Sequence, residues 1–333
     1  MSDPLLDVDD LTIQYETKNE WLTAVSDASF EIQRGEYFGL VGESGCGKST
    51  IAKALLGGLD DNGRVVSGTI RYKGQEIEDL SEKELRSDIR WKEIAYIPQS
   101  SMNSLDPLMR LREQALEIGK AHTDLPKSEI LDRFKEMFEI VGLQESRISD
   151  YPHQFSGGMQ QRSIIALALF LNPSLIIADE PTTALDVIMQ DQVFKYLDRI
   201  QENTDTSMLV ITHDISLIFE SCEKMAIMHG GQIAETGSVT TLFDEPRHPY
   251  SILLQRAFPD VRYPNRDLEV IEGTPPQSVG EVNYCTFADR CPWAIDECRN
   301  GSPPLKSTGT NDQRVACVRH DEIRQLAELD DEA

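Results

Sequence analysis

Gly42-Glu43-Ser44-Gly45-Cys46-Gly47-Lys48-Ser49 is the stretch whose reading decides the fold. It has the form G-x-x-x-x-G-K-[ST]. An apolar run, Tyr37 to Val41, precedes it, and a helical pattern, Ser49-Thr50-Ile51-Ala52-Lys53-Ala54-Leu55, follows. Strand, glycine-rich loop and helix in that order are the context in which this spacing cradles phosphate. The glycines let successive backbone N–H groups point inward at anionic oxygens. The helix N-terminus adds the positive end of its dipole. Lys48 supplies a point charge for phosphate, and the Ser49 hydroxyl can ligate Mg²⁺. Cys46 occupies a wild-card position and reads as a small side chain rather than a redox switch.

Working outward, residues 5–40 alternate apolar and polar in short runs, the pattern of strands. Two amphipathic helical stretches lie within 111–141. A third, 157–171, is apolar nearly all round and so is expected to be buried. Ser174-Leu175-Ile176-Ile177-Ala178-Asp179 then fits a buried parallel strand. A helix (188–202), a strand (Met208 to Thr212) and a helix (214–222) follow. Alternation of this kind indicates an α/β fold with a mainly parallel sheet. At the end of the 175–179 strand, Asp179 can hold Mg²⁺ opposite the phosphate loop, and Glu180 can polarise water as a general base.

Composition narrows the function. The 333 residues carry 57 acidic and 32 basic side chains, so 32 − 57 gives −25. A chain so acidic lacks the basic surface that displaces counterions from nucleic acid. It is equally unsuited to binding anionic lipid unaided. The acids are dispersed, and Lys is scarce beside Arg (12 against 20). Such a coat resembles the surface of proteins from salt-loving microbes. The longest apolar run, Ile164 to Leu171, is far short of the roughly 18 residues a membrane span requires. The N-terminal Met1-Ser2-Asp3-Pro4 stretch has no signal-peptide character, so the expected location is cytoplasmic. In that compartment the six Cys are expected to stay reduced.

With the phosphate loop and the Asp179-Glu180 pair in place, the sequence resembles the ATP-binding subunits of ABC transporters. Phe155-Ser156-Gly157-Gly158-Met159-Gln160-Gln161-Arg162 is similar to the ABC signature LSGGQ, with Phe for Leu and Met for Gln. Ser156 can cap the following helix, and the two glycines let its amides approach phosphate. The resemblance implies a P-loop ATPase with a mainly parallel core sheet, an antiparallel β subdomain and a helical subdomain at about 100–160. ATP and Mg²⁺ are the implied cofactors. Residues 42–50, from Gly42 to Thr50, together with Ser156, Gly157, Gly158 and Met159, would bind nucleotide. Tyr15 would stack on adenine, and Gln99 would sense Mg²⁺ and the terminal phosphate. Ser49, Gln99 and Asp179 would hold Mg²⁺. Asp186, in Ala184-Leu185-Asp186, would link the two sites of a head-to-tail pair. Lys48, Glu180 and His213 would be the catalytic group, with His213 orienting Glu180 and water.

A narrower resemblance points to the oligopeptide, dipeptide and nickel import branch. It rests on Ser101 to Pro107, on Arg247-His248-Pro249-Tyr250, and on four cysteines near the C-terminus. It implies import of di- or oligopeptides at the cytoplasmic face of the membrane, with nickel or oligosaccharide as alternative cargo. The implied partners are two membrane permeases, a second ATPase subunit and an extracellular substrate-binding protein. A soluble ABC ATPase acting outside transport is the rival class, disfavoured by the single phosphate loop and the charge.

The composition shifts near residue 258, where a Pro-rich segment begins. The expected domains are therefore an ATP-binding domain, 1–257, and a C-terminal extension, 258–333. Cys285, Cys291, Cys298 and Cys317 are separated by 5, 6 and 18 residues. Four thiolates suit either Zn²⁺ or an iron–sulfur cluster. Structural zinc favours shorter Cys knuckles than these, and the resemblance implies a [4Fe–4S] cluster, which some members of the branch hold on a similar pattern; Zn²⁺, free thiols or a disulfide are the alternatives. Cys222 reads as a buried small residue within a helix.

Overall fold

The structure is a computed structural model. It describes residues 3–99, 104–181, 195, 205–257, 271–309 and 312–331. Its strands, in chain order, are β1 (Leu6–Glu16), β2 (Trp21–Ile32), β3 (Tyr37–Val41), β4 (Gly63–Tyr72), β5 (Gln75–Glu76), β6 (Ile94–Ile97), β7 (Leu175–Asp179), β8 (Ser207–Thr212), β9 (Lys224–His229), β10 (Gln232–Ser238), β11 (Ser278–Val279), β12 (Lys306–Ser307) and β13 (Arg314–Val315). The chain divides into two compact units. The first comprises Met1–Ile32, Phe38–Glu76 and Thr212–Ala333, and the second Gln33–Tyr37 and Ile77–Ile211.

In the first unit an antiparallel sheet runs in the order β11-β2-β1-β4-β5. The alternation read in residues 5–40 becomes a buried row of Leu6, Val8, Leu11 and Ile13 on β1. β3 is buried along its whole length and runs parallel to β9, with Phe38 opposite Lys224 and Val41 opposite Ile227. β9 turns back through Gly230-Gly231 into antiparallel β10. Both glycines have positive φ, 53° and 90°, which a two-residue hairpin of matching twist requires. The sheet that carries the phosphate loop is therefore mixed at this side rather than parallel throughout, because a two-residue turn can only join antiparallel neighbours.

Residues 271–331 extend the first unit rather than building a core of their own. β11 adds to β2, with Ser278 opposite Thr23. β13 adds to β10, with Val315 opposite Glu235, and β12 pairs with β13. Trp293, Ile323 and Ala327 pack with Ile252 of the helix Pro249–Ala257 in a buried cluster flanked by Cys291. The physical reason is the one visible in the composition. A Pro-rich stretch with few periodic apolar residues buries too little surface alone, so it borrows two existing sheet edges.

Arg247-His248 joins this arrangement. The backbone N–H groups of Arg247 and His248 donate to the Glu235 carboxylate at 2.8 and 3.0 Å, and Gln313 Nε2 donates to it at 2.7 Å. Burial pushes Glu235 up to about 7 despite these donors. His248 is fully enclosed, and burial pushes it down to about 3, so it is neutral and its Nδ1 accepts from the Tyr250 N–H at 3.0 Å.

In the second unit β6, β7 and β8 are parallel, with Ile97 opposite Ala178 and Ala178 opposite Val210. Every residue of β7 and β8 is buried. That is why they read as continuous apolar runs rather than alternating ones. The helices Leu111–His122, Lys127–Ile140 and Gly157–Leu169 belong to this unit. Phe134 packs its ring against Phe138 and Phe170 at 4.9 and 5.7 Å. The segment 157–171 is buried through Ile164 to Leu171, as its all-round apolar character requires. In the first unit, one local expectation changes. The helix Ile215–Ser221 stops before Cys222, which is extended at its C-cap. Asp214 caps its start by accepting from the Ser216 N–H at 2.9 Å. Of the helix expected at 188–202, only Lys195 is among the described residues, and it is helical.

Candidate functional site

The phosphate loop lies wholly in the first unit, between β3 and the helix Lys48–Leu55. Two of its glycines are sterically enforced. A Cβ on Gly42 would stand 2.1 Å from the Met228 carbonyl oxygen, and one on Gly47 would stand 2.3 Å from that of Ala24. Gly47 is also the left-handed N-cap of the helix, at φ 106°. No side chain caps this end, so its amides are left for an anion. Lys48 is only 5% exposed, and its Nζ curls back to donate to Gly42 O at 2.7 Å and Glu43 O at 2.9 Å. The loop is braced from β10's turn, where the Gly231 N–H donates to Cys46 O at 3.0 Å. Cys46 is buried, and burial raises its thiol. A protonated, enclosed thiol suits a packing role. These features fit a triphosphate with its metal, held by backbone amides, Lys48 and the Ser49 hydroxyl.

Tyr15 lies near the end of β1, half-buried, with its ring edge against Gly63. His213 follows β8 directly and is exposed.

The carboxylate pair lies in the second unit at the end of β7. Asp179 is 1% exposed, and its Oδ2 accepts from the Tyr96 hydroxyl at 3.0 Å. Burial, together with the adjacent Asp179 charge, raises the Tyr96 phenol well above its ordinary value, so it remains a donor. Glu180 has φ 47°, a left-handed conformation unusual for a side chain of its size. The turn is anchored by the Glu180 N–H donating to Ile211 O at 2.8 Å. Gln99 Nε2 donates to Glu180 Oε2 at 2.6 Å. The structure thus brings Gln99, Asp179 and Glu180 together, three residues that the sequence reading placed in one site. Strain of this kind, held by fixed neighbours, is characteristic of functional positions.

The signature loop lies in the same unit. Ser156 Oγ accepts from the Met159 N–H at 3.4 Å, capping the helix Gly157–Leu169 as expected. Ser156 and Gly157 are exposed. Arg147 holds the loop from outside the motif. Its Nη2 donates to Gln154 O at 3.0 Å, its Nη1 lies 3.6 Å from Met159 Sδ, and its guanidinium covers the Phe155 ring. Gln161 Nε2 donates to Pro181 O at 2.6 Å, tying the signature helix to the segment after Glu180. Asp186 lies outside the described residues, as do Ser101 to Asn103.

Sequence reasoning missed Tyr96, Arg147, Tyr250 and Arg290. The first two support motif residues and carry no motif of their own. Tyr250 was read only as part of Arg247-His248-Pro249-Tyr250, yet its hydroxyl accepts from the Glu43 N–H at 3.2 Å.

The four C-terminal cysteines belong to the first unit. None is in a disulfide. The Cys285 N–H donates to Cys298 O at 2.9 Å. Burial pushes Cys285 up to about 11 and Cys291 and Cys317 up to about 12, and the charges of their fellow cysteines add to each rise. Among the described residues no three His, Cys, Asp or Glu form a group able to hold a metal ion. No helix among them is long and apolar enough to cross a membrane.

A phosphate loop ahead of a helix, a strand ending in Asp-Glu and a capped Ser-Gly-Gly helix together define an ABC-type ATPase. The dimeric structure of a bacterial ABC transporter cassette superposes with a TM-score of 0.62 at 27% identity, covering 70% of this chain and 98% of that one. Residues 25–183 match the ABC transporter family, and residues 234–298 match the C-terminal region of oligopeptide/dipeptide transporters. The oligopeptide transport ATP-binding protein OppD of Salmonella typhimurium is 41% identical over 305 residues, 91% of this chain and 90% of the relative. The dipeptide transport ATP-binding protein DppD of Escherichia coli is 39% identical over 303 residues, 90% of this chain and 92% of the relative. This chain belongs to the family of ATP-binding subunits of oligopeptide and dipeptide ABC transporters.

Proposed function

We propose that this ATPase powers import of di- or oligopeptides through a membrane complex of two permeases and a second ATPase subunit, fed by an extracellular binding protein. The observation that carries the reading is the presence, in one chain, of a fitted phosphate loop and the C-terminal region matched at 234–298. ATP with Mg²⁺ supplies the free energy. Lys48 and the loop amides bind phosphate, and Ser49, Asp179 and Gln99 hold the metal. Glu180 takes a proton from the attacking water, and His213 orients that water. Tyr15 receives the adenine. Ser156, Gly157, Gly158 and Met159 meet nucleotide on the partner ATPase, and Asp186 links the two sites. The chain works at the cytoplasmic face as a peripheral subunit without nucleic acid. Affinity purification from detergent-solubilised membranes is expected to recover two permeases and an ATPase partner, and reconstituted vesicles are expected to take up peptide in an ATP-dependent way. Recovery of nucleic acid in place of permeases would overturn the reading, and uptake of nickel or oligosaccharide alone would reassign the cargo.

We further propose that Cys285, Cys291, Cys298 and Cys317 hold a [4Fe–4S] cluster as a structural staple. Cys285, Cys291 and Cys317 have thiols raised by burial and by the charges of neighbouring cysteines, a proximity that suits a thiolate-bound group. The bound group would draw the thiols into their anionic form and pin the tail to the first unit. Protein purified without oxygen is expected to absorb near 400 nm (about four iron and four sulfide per chain). A colourless, iron-free preparation excludes the cluster.

A further inference from the structure

Glu43 poses an electrostatic problem. It follows Gly42 in a loop that has to attract a polyanion, and an acid there opposes that task. The structure holds it from three directions. Its carbonyl oxygen accepts from Lys48 Nζ at 2.9 Å, its N–H donates to Tyr250 Oη at 3.2 Å, and its carboxylate receives both arms of Arg290. Arg290 Nη1 stands 2.7 Å from Oε2, and Nη2 stands 2.8 Å from Oε1.

Arg290 comes from the C-terminal segment, 247 residues away in sequence, and its side chain is only 7% exposed. Its remaining donors are used to aim it. Nε donates to Glu272 O at 2.8 Å, and Nη2 donates to Ile271 O at 3.3 Å. Nη1 also donates to His229 Nε2 at 2.9 Å, while the other ring nitrogen of His229 meets Thr286 Oγ1 at 3.3 Å. The backbone N–H of Arg290 closes a turn on Phe287 O at 3.0 Å. Bidentate pairing between a half-buried carboxylate and a guanidinium that is aimed by further hydrogen bonds fixes both position and charge, which a lone exposed ion pair does not.

We infer that Arg290 is a positioning residue for nucleotide binding: it fixes Glu43 in the phosphate loop and cancels its charge, making the C-terminal segment a working part of the loop. Arg290 acts through Glu43 and does not itself touch nucleotide. The inference rests on the reading of Gly42–Ser49 as the ATP site.

The test uses the full-length chain, with Mg·ATP affinity measured by a fluorescent ATP analogue and turnover by phosphate release. Arg290→Met exposes the Glu43 charge, so the Kd for ATP is expected to rise about tenfold, more at low salt than at high. KM should follow Kd, with kcat changing much less. Glu43→Gln leaves the guanidinium positive beside the loop, and binding is expected to tighten about threefold. The double variant should recover most of what Arg290→Met loses, and Arg290→Lys should recover part. A residue that merely held the tail in place would give equally weak binding in Arg290→Met and the double variant, with no salt dependence, and that result overturns the inference. Should Arg290→Met fail to fold, Glu43→Gln alone decides, since looser ATP binding in it also overturns the inference. Lys48→Ala separates the two readings. Loss of binding there, with unchanged binding in Arg290→Met, rejects the role of Arg290 and keeps the ATP site. A wild-type chain that binds no Mg·ATP rejects both.

Discussion

Glu180→Gln is expected to abolish nearly all ATP turnover while leaving nucleotide binding intact. The substitution is nearly isosteric. A glutamine carbonyl oxygen can still accept from Gln99 Nε2, which now donates to Glu180 Oε2 at 2.6 Å. The backbone anchor to Ile211 is unaffected by the side chain. What disappears is the only group at this position able to take a proton from water. A positioned general base contributes about 10²–10⁴-fold, so kcat should fall by that factor. The substitution removes a negative charge and adds none, so the Kd for an anionic nucleotide should stay equal or fall. Phosphate release and analogue binding on the same preparation check both halves, and a variant that turns over at the wild-type rate removes Glu180 from the mechanism. Tyr96→Phe is a useful contrast. It takes one donor from Asp179 and leaves Glu180 alone, so its effect should appear in Mg²⁺ dependence first.

The contrast between Glu180 and Tyr96 shows what the sequence could and could not disclose. Gly42 to Ser49, Asp179-Glu180 and Ser156 to Met159 are contiguous. Each uses a local backbone device, a turn, a strand end or a helix cap, and local devices leave local signatures. β7 and β8 were legible because strands buried on both faces read as unbroken apolar runs. The supports were not legible, because they are defined by fold and not by spacing. Tyr96 reaches Asp179 across 83 residues and Arg290 reaches Glu43 across 247. Nothing in Arg290's own neighbourhood marks it except the cysteine beside it. The same reasoning explains the C-terminal segment. Its Pro content foretold that it could not fold alone, but not that it would borrow the edges of β2 and β10.

Gly47→Ala is expected to remove nucleotide binding and to lower stability by about 3 kcal/mol or more, from two costs that act together. The first is conformational. Gly47 sits at φ 106° and ψ −1° as the N-cap of the helix Lys48–Leu55, and an L side chain there is strained by about 1–3 kcal/mol. The second is steric. A Cβ would stand 2.3 Å from Ala24 O and 2.8 Å from Met228 Cε. The methionine can swing aside. The carbonyl belongs to β2, whose flanking residues Thr23 and Val25 pair with Gln14 and Ile13 of β1, so it gives way far less readily. The helix end must therefore move, and the amides that converge on phosphate move with it. Gly45 supplies the internal control, because at φ 81° it has nothing within 4 Å of an added Cβ. Gly45→Ala carries the conformational cost alone, so it should lose only about 1–3 kcal/mol and keep measurable ATP affinity. Thermal unfolding and analogue binding on the two variants separate the terms. Equal losses in both would show that backbone strain alone, and not the approach of β2 and β9 to the loop, fixes the glycines of the motif.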